Sequence, residues 1–248
     1  MARKNILITG GNRGLGLGLV AHYLALPDNR VVAGVRNPSH PTCQALSTLP
    51  NDPSSSLVIV QIESASKSSA LAAMETLEAK YEIDTLDIVI ANAGISTAYP
   101  TVADASVGDM ENHYLVNVIG PVLLFQATRP LLYRSTVGKF AVMSSSAGTI
   151  GDMEKRNIPN AAYGTSKAAL NYISRKIHFE NERLIVLAID PGWVRTDMGN
   201  IGAKLLGFEK AEIEIDESIR GMSRLIDEAT REKSSGRFWI YTGEEARW

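Results

Sequence analysis

Cysteine is almost missing from this chain, with Cys43 alone in 248 residues. An intramolecular disulfide is thereby excluded, and a single thiol reads as a small buried core residue in a reducing compartment. Histidine is scarce too: His22, His40, His113 and His178 stand at spacings that match no zinc motif, so no metal is expected. There is no block of like charge, and 25 basic side chains face 27 acidic ones. That balance excludes the electrostatic footprint of a nucleic-acid or anionic-membrane binder and leaves small molecules and further copies of the chain as partners. Long apolar runs are lacking as well. The opening MARKNILITGG turns apolar only at Ile6, Leu7 and Ile8, and no run approaches the roughly 18 apolar residues of a membrane helix. The expectation is a cytoplasmic protein.

The chain is rich instead in short β-branched runs separated by segments of helical period. The runs are NILIT (5–9), VVAGV (31–35), LVIVQI (57–62), LDIVIA (86–91), KFAVMS (139–144), LIVLAI (184–189) and RFWIY (237–241). They are apolar throughout rather than alternating, as strands covered on both faces must be. Between them, Leu71, Met74, Leu77 and Tyr81 form a one-sided stripe, and 168–179 forms another. Stacked βαβ units of this kind predict one α/β domain over 1–248, a Rossmann-type doubly wound fold. Its sheet should be seven-stranded and mostly parallel, with helices on both faces and ligands beyond the strands' carboxyl ends. The stretch SHPTCQALSTLPNDPSSS (39–56) reads as a loop-rich crossover with at most a short helix.

Directly after the first strand comes TGGNRGLG, with Gly10, Gly14 and Gly16 leading into a helix. Such a turn lets backbone approach a pyrophosphate, which the helix N-terminus then stabilises. Three glycines in a turn also occur without any ligand. The spacing is neither the G-x-G-x-x-G of most dinucleotide folds nor a Walker motif, because no Gly-Lys-Ser or Gly-Lys-Thr follows.

The Gly-x-x-x-Gly-x-Gly form resembles that of the short-chain dehydrogenases/reductases, and the resemblance runs along essentially the whole chain. Further marks follow in order: ANAG (91–94), Asn117 in YLVNVIG, SSSAG (144–148), YGTSK (163–167) and PGWVRTDM (191–198). GPVLLFQATRPLL, NYISRKIHFEN and IDPGWVRTDMG resemble most the fungal norsolorinic acid ketoreductase-like branch, which works on polyketide aromatic ketones. The resemblance implies that Tyr163 is the proton donor, Lys167 its partner, Ser145 the donor to the carbonyl oxygen and Asn117 the anchor of a water relay. Within the serine triplet, Ser145 is the one three residues before Gly148. The chemistry agrees: a phenol with an ordinary pKa near ~10 needs a nearby cation to work at neutral pH, and a fixed hydroxyl stabilises charge developing on oxygen. Taken singly, Asn117 would read as a cap and Ser145 as a loop hydroxyl; their joint order overrides that.

For the cofactor, the second strand ends in GVRNP with no acidic residue nearby. Arg36, with Arg13 in the glycine turn, suits the extra phosphate of NADP(H) rather than the ribose hydroxyl of NAD. Two solvated surface arginines are the plainer alternative. The resemblance adds Asn12, Leu15 and Asn37 to the cofactor-binding residues. It places Ile62 and Glu63 by the adenine, where glutamate replaces the family's usual aspartate, and Asn92, Ala93 and Gly94 along the adenine-ribose. Pro191 and Gly192 join the cofactor site, and Val194 and Thr196 should hold the nicotinamide carboxamide. The interval between Ser145 and Tyr163 exceeds the family's common one, so Met153 and Ile158 should rim the pocket. A substrate lid around 193–215, with Trp193 and Met198, is expected opposite.

These residues predict an NADPH-dependent ketoreductase acting on a hydrophobic, aromatic or polyketide-like ketone, assembled as a homodimer or homotetramer. Two other readings stay open: an NADP-binding cyclase or dehydratase without net redox, and a non-catalytic NADP(H) sensor.

Overall fold

The structure is a computed structural model that describes residues 3–155 and 158–248. Seven strands form one sheet: β1 Lys4–Thr9, β2 Asn29–Val35, β3 Ser56–Gln61, β4 Ile88–Ala91, β5 Lys139–Met143, β6 Ile185–Asp190 and β7 Arg237–Ile240. Every pairing is parallel, and the order is β3-β2-β1-β4-β5-β6-β7. The sheet is thus wholly rather than mostly parallel. Strand order reverses beside β1, so a crevice opens at the carboxyl ends of β1 and β4.

The apolar runs divide between two cores with period two. Ile6 and Ile8 face one core while Leu7 faces the other; Phe140 and Val142 oppose Ala141 and Met143 in the same way. One face is covered by α1 Gly14–Leu24 and α8 Ile215–Glu228, through Leu19, Val20, Ile219 and Met222. The other is covered by α3 Ser69–Tyr81, α5 Gly120–Arg134 and α6 Ala161–Glu180, through Leu77, Leu124, Leu131 and Leu170. A short α2, Gln44–Ser47, is the only α-helix described within the loop-rich crossover, and it buries Cys43 at its start.

The helix α4, Val107–Tyr114, begins at Ser106, whose hydroxyl accepts the Asp109 N–H at 3.0 Å. It runs through a π-helical turn at Leu115–Ile119 straight into α5. Joined in this way, Val107–Arg134 is one helical stretch long and apolar enough in composition to cross a membrane, with 56% of its most apolar window buried inside the fold. Leu124, Phe125, Leu131 and Leu132 turn to the core, as the covering helix of an α/β layer requires, while Val107 and Tyr114 stay exposed.

The closing segment completes its own core. Phe238 is fully buried, and Trp248 stacks on it at 5.6 Å.

Candidate active site

All strands point one way, so the segments leaving β1, β2, β3, β4, β5 and β6 emerge at one edge of the sheet. The glycine turn after β1 is hung on β2, with the Gly10 and Gly11 N–H groups donating to the Gly34 carbonyl at 2.8 and 3.3 Å. Gly10 has φ +66° and Gly14 φ +52°, values that side chains disfavour. At Gly16 a Cβ would lie 2.1 Å from the Gly10 oxygen and 2.7 Å from Asn92 Nδ2, so only glycine fits. The helix this turn feeds, α1, has neither a side-chain cap at Arg13 nor an acidic residue in its first turn. Its N-terminal N–H groups and positive dipole end therefore face a backbone-lined cradle, a fit for a dinucleotide's pyrophosphate. Leu15 is half-buried in that first turn.

Around this cradle the sequence-derived residues take distinct places. Arg13, Arg36 and Asn37 are exposed at the same edge, and neither arginine makes an ion pair among the described residues. Asn12 instead bonds Thr42 Oγ1 at 2.5 Å. Asn92 turns its amide into the protein, donating to the Thr9 carbonyl at 2.9 Å, so its side chain braces β1 against β4. Ala93 and Gly94 follow it, half-buried. Ile62 is buried, and Glu63 is held by its N–H on Ser69 Oγ at 2.9 Å; both line a cleft with Ala91, Ala93 and Gly120.

The second cluster forms where β5, α4–α5 and α6 meet. Of the serine triplet, Ser144 and Ser146 are buried, whereas Ser145 is partly open and its oxygen accepts the Ala147 N–H at 3.1 Å. Ser144 is committed to Asn171. The helix α6 brings Tyr163 and Lys167 onto one face, with the ammonium 5.5 Å from the phenol ring centre. Lys167 is buried and donates to the Met143 carbonyl at 2.7 Å. Burial pulls its pKa down to about 8, opposed by the charge of Asp190. The Tyr163 phenol is pushed well above free tyrosine by its own burial, with a hydrogen bond with Ser145 opposing and the charges of Asp190 and Tyr99 adding to the rise. In the protein by itself, desolvation thus outweighs the downward pull expected of Lys167, and Tyr163 keeps its proton at neutral pH.

Asn117 is completely buried in the π-turn, a feature often found at functional sites. Its Oδ1 accepts the Ile95 N–H at 2.8 Å, while Nδ2 donates to the Ile95 carbonyl at 2.9 Å and to Ser166 Oγ at 3.0 Å. Ser166 in turn donates to the Tyr163 carbonyl at 2.7 Å. A Cβ on Gly94 would stand 3.1 Å from Asn117 Oδ1 and 3.7 Å from Lys167 Nζ, so the ANAG segment, Asn117 and Lys167 converge.

After β6, Gly192 adopts φ +79° and Val194 is buried. Pro191 accepts the Ser218 hydroxyl proton at 2.7 Å, and Thr196 caps α7, Asp197–Leu205, accepting from the Gly199 N–H at 3.1 Å. A Cβ on Gly14 would come within 3.4 Å of Thr196 Cγ2, so this loop reaches over the glycine turn. The segment expected to form a lid, 193–215, is tied to itself at its base: Val194 pairs with Ile213, and the Trp193 carbonyl accepts from Ile213 N–H at 3.0 Å. Trp193 packs inside the lid, edge-on to Phe208 at 5.4 Å, with its indole N–H on the Gly199 carbonyl. Met198 is partly exposed on α7, and Met153 is exposed on a single turn beyond β5. Ile158, also exposed, follows 156–157, which lie outside the described residues.

Three contributors escaped the sequence. Asp190, the buried final residue of β6, was signalled only by a carboxylate ending an apolar strand. Tyr99, in the loop after ANAG, reaches α7: a Cβ on Gly202 would lie 3.0 Å from its hydroxyl. The segment after Ser145 is pinned by distant residues, with Ile150 and Gly151 N–H groups on the Trp248 backbone oxygen at 3.1 and 2.9 Å. No local pattern marks that contact.

A doubly wound parallel sheet, a glycine cradle at its switch point and a tyrosine paired with a buried lysine beside it define an oxidoreductase that works with a nicotinamide dinucleotide. Comparison with known proteins agrees. The family described as short chain dehydrogenase matches residues 4–204. A norsolorinic acid ketoreductase of Dothistroma septosporum is 42% identical over 96% of this chain and 90% of its own. That of Aspergillus parasiticus is 42% identical over 98% and 90%. The NADPH-bound carbonyl reductase from chicken fatty liver superimposes over 100% of both chains with a TM-score of 0.87 at 31% identity. The chain belongs to the short-chain dehydrogenase family and is an oxidoreductase acting on CH–OH or C=O groups.

Proposed function

We propose that the protein is an NADPH-dependent ketoreductase that reduces a hydrophobic, aromatic or polyketide-like ketone to a secondary alcohol. The observation that carries this is the convergence of Ser145, Tyr163, Lys167 and Asn117, from three separate elements, beside a cradle suited to a dinucleotide. The norsolorinic acid ketoreductases among its relatives support the substrate class, and exposed Arg13 and Arg36 support the 2′-phosphate.

Gly10, Gly14, Gly16 and the start of α1 would hold the pyrophosphate, Arg13 and Arg36 the extra phosphate, and Val194 and Thr196 the carboxamide. When bound, the nicotinamide supplies hydride to the carbonyl carbon. The chain's residues do the rest. Ser145 donates to the carbonyl oxygen and holds it beside the phenol. Tyr163, a phenol protonated at neutral pH and pushed further up by desolvation, gives its proton to that oxygen as negative charge builds there. Lys167, cationic below about pH 8, stabilises the phenolate left behind. Asn117 fixes the Ile95 backbone and, through Ser166, the first turn of α6. Met153, Met198 and Trp193 place apolar surface around a flat substrate. Tyr172 and Phe179, exposed on α6, give apolar area for a homodimer or homotetramer in the cytoplasm.

The test follows NADPH absorbance against a panel of aromatic ketones. Wild-type protein should consume NADPH with alcohol formed in equal amount. Tyr163→Phe should lose nearly all turnover while binding NADPH as before. Cofactor binding without consumption on every ketone overturns the reading, as does substantial turnover by Tyr163→Phe.

A further inference from the structure

The chemistry proposed above makes no use of Asp190, yet this is the one acidic side chain among the buried described residues, at 3% exposure. A carboxylate stripped of water must be compensated by donors and by opposite charge. The donors come from two different loops. Oδ2 accepts the Ser146 N–H at 3.0 Å, and Oδ1 accepts the Gly192 N–H at 2.9 Å. Ser146 adjoins Ser145, and Gly192 opens the loop that carries Val194 and Thr196. The Gly192 conformation is imposed by its surroundings, with φ +79° and a Cβ that would strike Ile213 at 2.3 Å, so that N–H is fixed in place.

The opposite charge is equally placed by the sheet. The carbonyl that receives the Lys167 ammonium belongs to Met143, which pairs in register with Ile189, the residue before Asp190. The Ser144 N–H closes the same corner on the Ile189 carbonyl at 2.7 Å. The Lys167 ammonium, reaching from α6 to the end of β5, and the Asp190 carboxylate, at the end of β6, are therefore brought to adjacent strand ends.

We propose that Asp190 is a positioning residue of the active site: its carboxylate clamps the Ser145 turn to the cofactor-facing loop and supplies the counter-charge to Lys167. This rests on the reading of Lys167 and Tyr163 given above. The charges around it agree. On α6, Asp190 opposes the burial of Lys167 and adds to the rise at Tyr163; beyond β7 it raises Tyr241, whose hydroxyl also bonds Glu217 of α8. From the loop after β4, Tyr99 faces Tyr163.

Asp190→Asn removes the charge and keeps the shape. Without that anion Lys167 loses its proton at lower pH, and the Tyr163 phenol does too, so both changes act in one direction. The alkaline limb of kcat/KM for ketone reduction should move to lower pH by about one unit. An unmoved limb in folded protein overturns the proposal.

A second measurement needs neither turnover nor that variant. Lys167→Met leaves Asp190 as a buried carboxylate without its cation, which costs the fold more the more fully that carboxylate is ionised. Its stability deficit relative to wild type, read from thermal melts, should grow as pH increases from about 5 to about 8. A deficit that stays constant across that window overturns the assignment. If the wild type reduces no ketone, the functional reading falls, while the melts still decide the role of Asp190.

Discussion

Gly148 ends the single turn Ser146–Gly148 that follows Ser145, and it lies against the backbone of α6. A Cβ there would stand 2.6 Å from the Lys167 carbonyl carbon and 2.6 Å from the Ala168 nitrogen, where ordinary contact begins at 3.4 Å. The obstacles are backbone, so no side chain can swing aside. In Gly148→Ala the turn and the helix must therefore part by about 1 Å, carrying Ser145 away from Tyr163. Overpacking of this kind costs about 1–3 kcal/mol. For a chain of this size the melting temperature should fall by about 2–12 °C. A displacement near ~1 Å between groups that must act together lowers turnover roughly 10²-fold. The Gly10–Gly16 cradle lies elsewhere, so NADPH affinity should be kept. Thermal melts, NADPH fluorescence titration and steady-state turnover on one ketone measure the three quantities. Wild-type turnover in folded Gly148→Ala would refute the claim that this contact sets the Ser145–Tyr163 distance.

At the other end of the cleft, Gly16→Ala drives a Cβ to 2.1 Å from the Gly10 oxygen, so fluorescence titration should show NADPH binding lost in protein that still folds. Arg36→Ala removes a guanidinium exposed at the carboxyl end of β2, and kcat/KM with NADPH should drop about 10- to 100-fold, as loss of a charge-assisted hydrogen bond implies, while that with NADH stays level. Asn117→Ala strands the Ile95 N–H and carbonyl in a buried site; at about 1–3 kcal/mol for each unpaired group, thermal melts should show a fall of several degrees.

Much of the architecture was legible because its signals are local. All seven strand cores lie where apolar runs stand between breakers, since a strand covered on both faces has no polar side to show. The glycine turn was equally readable, each glycine answering a nearby steric demand. Of the three serines, Ser145 is the partly open one. Other roles were hidden by distance. Asn92 read as lining the cleft, yet its amide is spent on the Thr9 backbone. Trp193 reads as pocket wall, and nothing local marks that its indole N–H also donates to the Gly199 carbonyl and that its ring meets Phe208 edge-on.

By itself, the sequence determined the layer order, the cradle after β1 and the four-residue spacing that puts Tyr163 and Lys167 on one face, because periodicity and backbone sterics act over a few residues. Only the tertiary structure decided which buried groups meet. Asn117 finds Ile95, Lys167 finds the Met143 carbonyl, and Asp190 joins Ser146 to Gly192. Each of these pairs joins separate segments of the fold, and its hydrogen bonds matter because the sheet and helices have removed the water that would otherwise satisfy them.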